Sequence, residues 1–370
     1  MPSLSRLTVT GVRNLAPLSL NPSPSFNLVH GDNGSGKTSL LEAISLLSMG
    51  RSFRTHQQKP LIQDGEANAV VHAEMQEGGS LGVRKSRREG TLVKLNGVRA
   101  ASVSELAQEL PIQILHAASF QVLDGSPSDR RAFLDWGVFH VKHRFIAAWR
   151  NSRRALSNRN VLLKQNAPAA AIEPWSRELA LHAEEVDALR QEYVNTLLAG
   201  IQTMAATELL DVLGGAVEIR YWRGWDDATP LAELLQRHLE RERKAGHTLY
   251  GPHRADLRFL VGGRDCSSTL SRGQAKLLIS VLKIAQAEQL QAETSKQSVF
   301  LVDDLPSELD RFNQERILSL LAVLRSQVFV TAIDPEVLLA VPALAGSQTK
   351  LFHVKHGKIS QSDRGSTDPV

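Results

Sequence analysis

The chain has 370 residues, 42% hydrophobic and 22% charged, enough to bury one large core or two without covalent staples. Its formal net charge of +4 is compatible with an anionic partner but too mild to prove one. A single cysteine, Cys266, excludes an intrachain disulfide and a thiolate metal cluster, and suits a reducing compartment. No apolar run reaches membrane-spanning length and Met1 to Thr10 lacks a signal-peptide pattern, so the expectation is a cytoplasmic protein with no membrane partner.

In chain order, Leu7 to Val9 and Phe26 to His30 read as strands separated by turn-prone Asn21 to Pro24. Thr38 to Leu47 reads as a helix with Leu40, Leu41, Ile44 and Leu47 on one side. Val70 to Ala73, Leu81 to Val83 and Leu92 to Leu95 form a short antiparallel set, with a turn at Asn96-Gly97. Val103 to Leu110 is a short helix that stops before Pro111. Arg130 to about Gly246 is mostly helical in pattern, with a break at Ala167 to Ala171. Its apolar spacing is too irregular for a long coiled coil.

After Tyr250 a strand is expected over Ala255 to Val261, a turn at Gly262-Gly263, a helix over Gln274 to Leu290, and buried parallel strands over Ser298 to Val302 and Gln327 to Thr331. Leu351 to Ile359 reads as a closing hairpin. The expected organisation is therefore a nucleotide lobe in two pieces, residues 1–120 and 247–360, around a helical lobe at 121–246. Residues 361–370, polar with Pro and Gly, are expected to be a disordered tail.

Three segments carry chemistry. Gly31-Asp32-Asn33-Gly34-Ser35-Gly36-Lys37-Thr38 fits the phosphate-loop pattern in full and sits between a strand and a helix, the context that pattern requires. Its glycines expose a nest of N–H groups, and the helix adds its positive end. Lys37 is expected to reach the β- and γ-phosphates of ATP, and Thr38 to ligate Mg²⁺. Val299 to Val302 followed by Asp303 is the hydrophobic strand and acid that complete such a metal site. Asp304 is positioned either to orient the attacking water or to support Asp303. Ser271-Arg272-Gly273-Gln274 opens a helix, with Ser271 as N-cap and Gly273 permitting close backbone approach.

These segments, with Gly50 to Arg54, Arg130 to Asp135, Tyr250 to Asp256, Leu270 to Gln274 and Asp303 to Asp310, resemble the bacterial RecF family, relatives of the SMC and Rad50 heads. The similarity runs from about residue 2 to 360. It implies an α/β fold, an ABC/SMC-type P-loop ATPase head with an inserted compact helical lobe. It also implies a homodimer in which ATP is sandwiched between the Gly31–Thr38 loop of one subunit and Ser271, Arg272, Gly273 and Gln274 of the other. Ser307 to Asp310 matches the loop that faces the partner. Thr331 stands where transporters carry a switch histidine and would offer ATP a hydroxyl. The implied activity is slow ATP hydrolysis, with Lys37, Asp303 and Asp304 as catalytic residues. The implied partners are double-stranded DNA and single-strand/double-strand junctions, RecR with RecO, and functionally RecA and the single-strand-binding protein. Two departures stand out: Asp304 is one methylene shorter than the usual Glu, and Ala117 to Phe120 lacks the acid found in many relatives.

For DNA, the sequence offers Arg51, Arg54, Lys59, Arg130, Arg131, Arg150, Arg153 and Arg154, in a basic run that extends to Arg159. Contacts of this type go to phosphates and predict salt-sensitive, largely sequence-independent binding. Arg54, just past the phosphate-loop helix, is the sharpest candidate. Arg130 and Arg131 have a second reading as braces against Asp135. The alternative function is a protein scaffold stabilised by nucleotide without significant turnover.

Overall fold

The computed structural model describes residues 2–54, 61–204, 212–345 and 348–362. The chain divides into two compact units, one formed by Met1–Ser119 with Leu290–Val370 and the other by Phe120–Gln289.

The first unit holds two six-stranded sheets. In one, Lys358–Ser362, Thr349–Lys355, Phe26–His30, Val328–Ala332, Val299–Val302 and Ile112–Leu115 lie side by side in that order. All neighbours are parallel except the edge hairpin at Thr349–Ser362. Val299–Val302 and Val328–Ala332 are buried throughout, which is why they read as unbroken apolar runs rather than alternating ones. The second sheet is antiparallel, in the order Leu18–Leu20, Leu4–Thr10, Asn68–Met75, Ser80–Ser86, Gly90–Leu95 and Val98–Arg99. Its Asn68–Met75 strand alternates buried and exposed residues, as a sheet with one wet face requires. Asn96 and Gly97 both take positive φ, the left-handed pair that a tight two-residue hairpin needs. The Lys37–Met49 helix contributes Leu40, Leu41, Ile44 and Leu47 to the core shared with both sheets.

The second unit carries helices Pro127–Val141, Phe145–Lys164 and Ala169–Met204, with shorter ones at Leu231–Arg237 and Leu239–Ala245. Two expectations need correction here. The run to Gly246 contains a strand, Val217–Trp222, and Asp256–Val261 pairs antiparallel with it in a separate three-stranded sheet completed by Arg264–Asp265. Asp256–Val261 is thus no part of the core parallel sheet, and the return to the first unit falls at Leu290, not at residue 247. The sequence showed a strand after Tyr250 but not which strand it would pair with. The Ser271–Gln274 segment consequently belongs to the second unit. At the far end, Gln361 and Ser362, expected in the tail, instead extend the closing hairpin opposite Phe352 and Leu351. Residues 363–370 lie outside the described residues.

Candidate nucleotide site and basic surfaces

The parallel sheet order builds the site. Phe26–His30, which feeds the phosphate loop, and Val299–Val302, which ends at Asp303, flank Val328–Ala332 on its two sides. Val330 is in register with Leu28 and Val302, so Thr331, Val29 and Asp303 come level at the carboxyl ends of the strands. That edge is where open α/β sheets bind ligands.

In the loop, Gly31 has φ of 144°, and a Cβ there would meet the Val354 carbonyl at 2.2 Å. Gly36 has φ of 122° and backs onto Leu15, Asn14 and Val354. Asp32, Asn33 and Gly34 form the exposed rim, while Ser35 is buried. Two braces were not anticipated. Asn14 donates to the Gly34 carbonyl at 3.0 Å and accepts from Ser39 at 2.8 Å, and the Gly357 N–H donates to the Ser35 carbonyl at 2.8 Å. No local signal in the sequence links Gly357 to a loop more than 300 positions away.

Lys37 Nζ donates to the Gly31 and Asp32 carbonyls at 2.5 and 3.0 Å. Burial pulls its pKa below the usual lysine range, against the opposing pull of Asp304, Asp303 and Asp32. Thr38 Oγ1 lies 2.9 and 3.1 Å from the two carboxylate oxygens of Asp303. Burial raises the Asp303 pKa, opposed by the hydrogen bonds from Thr38 and Thr331 and by the charge of Arg54. A hydroxyl and a carboxylate in this contact fit Mg²⁺, which favours one or two protein oxygens plus phosphates and water over an all-protein cage. Among the described residues no cluster of three or more His, Cys, Asp or Glu side chains offers such a cage.

Thr331 departs from expectation. It is fully buried, donates to Asp303 Oδ1 at 2.9 Å, and accepts the Asp304 N–H at 2.7 Å. Its hydroxyl is committed to aiming the two acids rather than presented to a phosphate. Asp304 itself sits in the left-handed region, φ 54° and ψ 47°, at the start of the short Leu305–Glu308 helix, a conformation that Asp tolerates better than most residues.

In the second unit, Ser271 and Gln274 form a reciprocal cap. The Ser271 N–H donates to Gln274 Oε1 at 2.9 Å, and the Gln274 N–H donates to Ser271 Oγ at 3.3 Å. Gln274 Nε2 also donates to the Val212 carbonyl at 2.8 Å. Ser271, Arg272 and Gly273 are exposed, and a Cβ on Gly273 would meet nothing within 4 Å.

The arginines sort into two kinds. Arg150, Arg153 and Arg154 are exposed on the Phe145–Lys164 helix, at the spacing that puts them on one face, with Arg153 stacked over Trp149. Arg51 and Arg54 are exposed after the phosphate-loop helix. The other arginines serve the fold. Arg130 makes a two-pronged ion pair with Asp256, at 2.6 and 3.0 Å, and donates to the Gly125 carbonyl. Arg131 donates to the Ala255 carbonyl at 2.7 Å. The expected brace against Asp135 is corrected: Arg130 and Arg131 bind Asp256 and the Ala255 carbonyl, while Asp135 is taken by the buried Arg190. Arg159 is fully buried against Glu242, also fully buried, which removes it from the basic surface. Lys59 lies outside the described residues.

The family model of the RecF/RecN/SMC N terminal domain matches residues 3–359. DNA replication and repair protein RecF of Stutzerimonas stutzeri is 44% identical over 366 residues, 97% of each chain. The chain belongs to the RecF family. RecF of Pseudomonas fluorescens is 43% identical, covering 97% of this chain and 98% of that one. A solved structure described as the recombination mediator protein RecF with ATP in the RecFOR pathway is 27% identical, with a TM-score of 0.86 over 97% of this chain and 99% of the other. An Smc head bound to the C-terminal winged-helix domain of ScpA, 15% identical with a TM-score of 0.57, covers 98% of both chains and shows the shared fold alone. The fold is that of an SMC-type ATPase head. No helix among the described residues is long and apolar enough to cross a membrane.

Proposed function

We propose that the chain is an ATP-gated DNA-binding protein of recombinational repair and replication-fork restart. It closes into a homodimer on ATP at duplex or gap junctions, acts with RecO and RecR to load RecA onto single strands coated by the single-strand-binding protein, and uses slow hydrolysis to reopen. The observation that carries this reading is the contact of Thr38 with Asp303, held in place by Thr331 beneath the phosphate loop. ATP in a RecF relative that shares the fold over almost the whole chain supports the choice of nucleotide.

In this mechanism the loop N–H groups and Lys37 cradle the phosphates, with the ammonium moving from the Gly31 and Asp32 carbonyls to the anion. Thr38 and Asp303 would hold Mg²⁺, which when bound would supply charge neutralisation to the phosphates. Asp304 orients or deprotonates the attacking water, and its backbone bond to Thr331 fixes the approach. Exposed Ser271, Arg272 and Gly273 at a helix N-terminus are suited to capping the terminal phosphate held by a partner subunit. Arg150, Arg153 and Arg154 supply phosphate contacts to duplex DNA.

Sedimentation with gapped duplex and ATP, ADP or no nucleotide, at two salt concentrations, tests this function. Dimers specific to ATP that bind DNA and weaken with salt are expected. A nucleotide-independent monomer that ignores DNA would favour the scaffold instead. Lys37→Arg is expected to abolish ATP-dependent dimerisation, and unchanged self-association would remove Lys37 from its role.

A further inference from the structure

Glu42 lies within the Lys37–Met49 helix among Leu40, Leu41, Ala43 and Ile44, and it is as completely buried as they are. A carboxylate there is costly, because burial penalises the charge and an apolar side chain of similar volume would support the helix at least as well. What the carboxylate adds is a junction between separate segments. It accepts Arg13 Nη2 at 2.7 Å on Oε1 and Arg13 Nε at 3.1 Å on Oε2. The Ser52 hydroxyl donates to Oε1, and Arg54 Nη1 stands 3.9 Å from Oε2. Ser52 Oγ in turn accepts the Arg54 backbone N–H at 3.0 Å.

The Arg54 end of this relay shares a cleft with residues that brace the phosphate loop. Its side chain is 56% exposed and lines an open cleft of about 480 Å³ together with Arg13, Asn14 and Ser39. Asn14 is the residue that braces Gly34 of the phosphate loop. The Arg54 charge is also felt by the Asp303 carboxylate. A guanidinium on an exposed segment would otherwise sample many rotamers, and a buried anchor two residues away removes much of that freedom.

We infer that Glu42, acting through Ser52, is a positioning residue that fixes where Arg54 stands beside the phosphate loop and thereby sets ATP turnover. The inference rests on the nucleotide reading above. A role in core support alone would cost stability without any dependence on Arg54.

Ser52→Ala breaks the relay while leaving the Arg13–Glu42 ion pair, so the helix keeps its buried charge partnered. Two measurements decide. Amide exchange without nucleotide is expected to accelerate at Arg54 by about tenfold or more in Ser52→Ala, since that N–H loses its acceptor. In a double-mutant cycle, Ser52→Ala is expected to lower kcat about tenfold when Arg54 is present, a cost typical of a misplaced group, and to add nothing in an Arg54→Ala background. Glu42→Gln, which keeps the Ser52 acceptor but weakens its anchor, is expected to shift both readouts in the same direction by less, and Ser52→Ala keeps the test decisive if Glu42→Gln does not fold. Unchanged exchange at Arg54, or turnover losses that multiply independently, would overturn the inference. If the wild-type chain had no Lys37-dependent turnover, the ATPase reading would fall instead, and exchange at Arg54 would still report whether Ser52 and Glu42 hold it.

Discussion

Thr331→Val isolates the hydroxyl that joins the two acids. The side chain is fully buried, and Val matches its shape, so the change removes hydrogen bonds without opening a cavity. Two are lost. The Asp304 N–H loses its acceptor, a desolvation penalty of about 1–3 kcal/mol. Asp303 loses one donor to a carboxylate, worth about 1.5–3 kcal/mol, but retains both contacts to Thr38. The two share a network and do not add in full, so a loss of about 3 kcal/mol is expected. For a unit of this size that lowers Tm by roughly 6–12 °C. Scanning calorimetry in the absence and presence of Mg²⁺ and ATP measures it. Thr331→Ser keeps the hydroxyl, loses one methyl, and should cost only about 1 kcal/mol. If Thr331→Val were as stable as wild type, or Thr331→Ser equally damaged, the hydroxyl would not be the link between the acids.

Asp303→Asn should raise the Tm of the nucleotide-free protein at pH 7. The Asp303 pKa is raised by folding, so its ionised form is disfavoured there and the stability it contributes is lost as pH rises through the folded value. The same variant should lose the thermal shift given by Mg²⁺ and ATP, and a lower Tm without ligand would contradict the burial argument. His253, buried and pushed down to about 4, stays neutral near pH 7, and its contribution to stability falls away as pH drops from about 6.5 towards that value. Urea titrations of His253→Gln should show a flatter pH dependence across that window; an unchanged slope would refute the assignment. Replacing Arg150, Arg153 and Arg154 together by Ala should reduce the salt slope of duplex binding by up to about 2.7 per protomer. Arg130→Ala should leave that slope alone and destabilise the second unit by about 1–3 kcal/mol, because it strips Asp256 of its ion-pair partner. A filter-binding series across salt separates the two.

Most elements were legible because their signals are local. The Gly31–Thr38 loop, the apolar run to Asp303, the Asn96-Gly97 turn and the Ser271–Gln274 cap each depend on neighbours within a few residues. The basic run from Arg150 to Arg159 shows where local reading stops: helical spacing turns Arg150, Arg153 and Arg154 outward, while packing draws Arg159 fully inside against Glu242. Arg130 likewise reads as surface charge until Asp256 comes within 2.6 Å of it. Glu42 did carry a usable signal, a lone acid amid the apolar residues of its helix, but not its partners Arg13, Ser52 and Arg54.

By itself, then, the sequence determined that a phosphate-loop motif, a helix-capping segment and an acid closing a buried strand occur in this order on an α/β chain, since short-range dihedral preferences and periodicity encode each one. Tertiary structure alone decided that Asp256–Val261 pairs with Val217–Trp222, and that Thr331 spends its hydroxyl on Asp303 and Asp304. Strand partners and buried hydrogen bonds are set by which surfaces compete successfully for burial, and residues hundreds of positions apart enter that competition together.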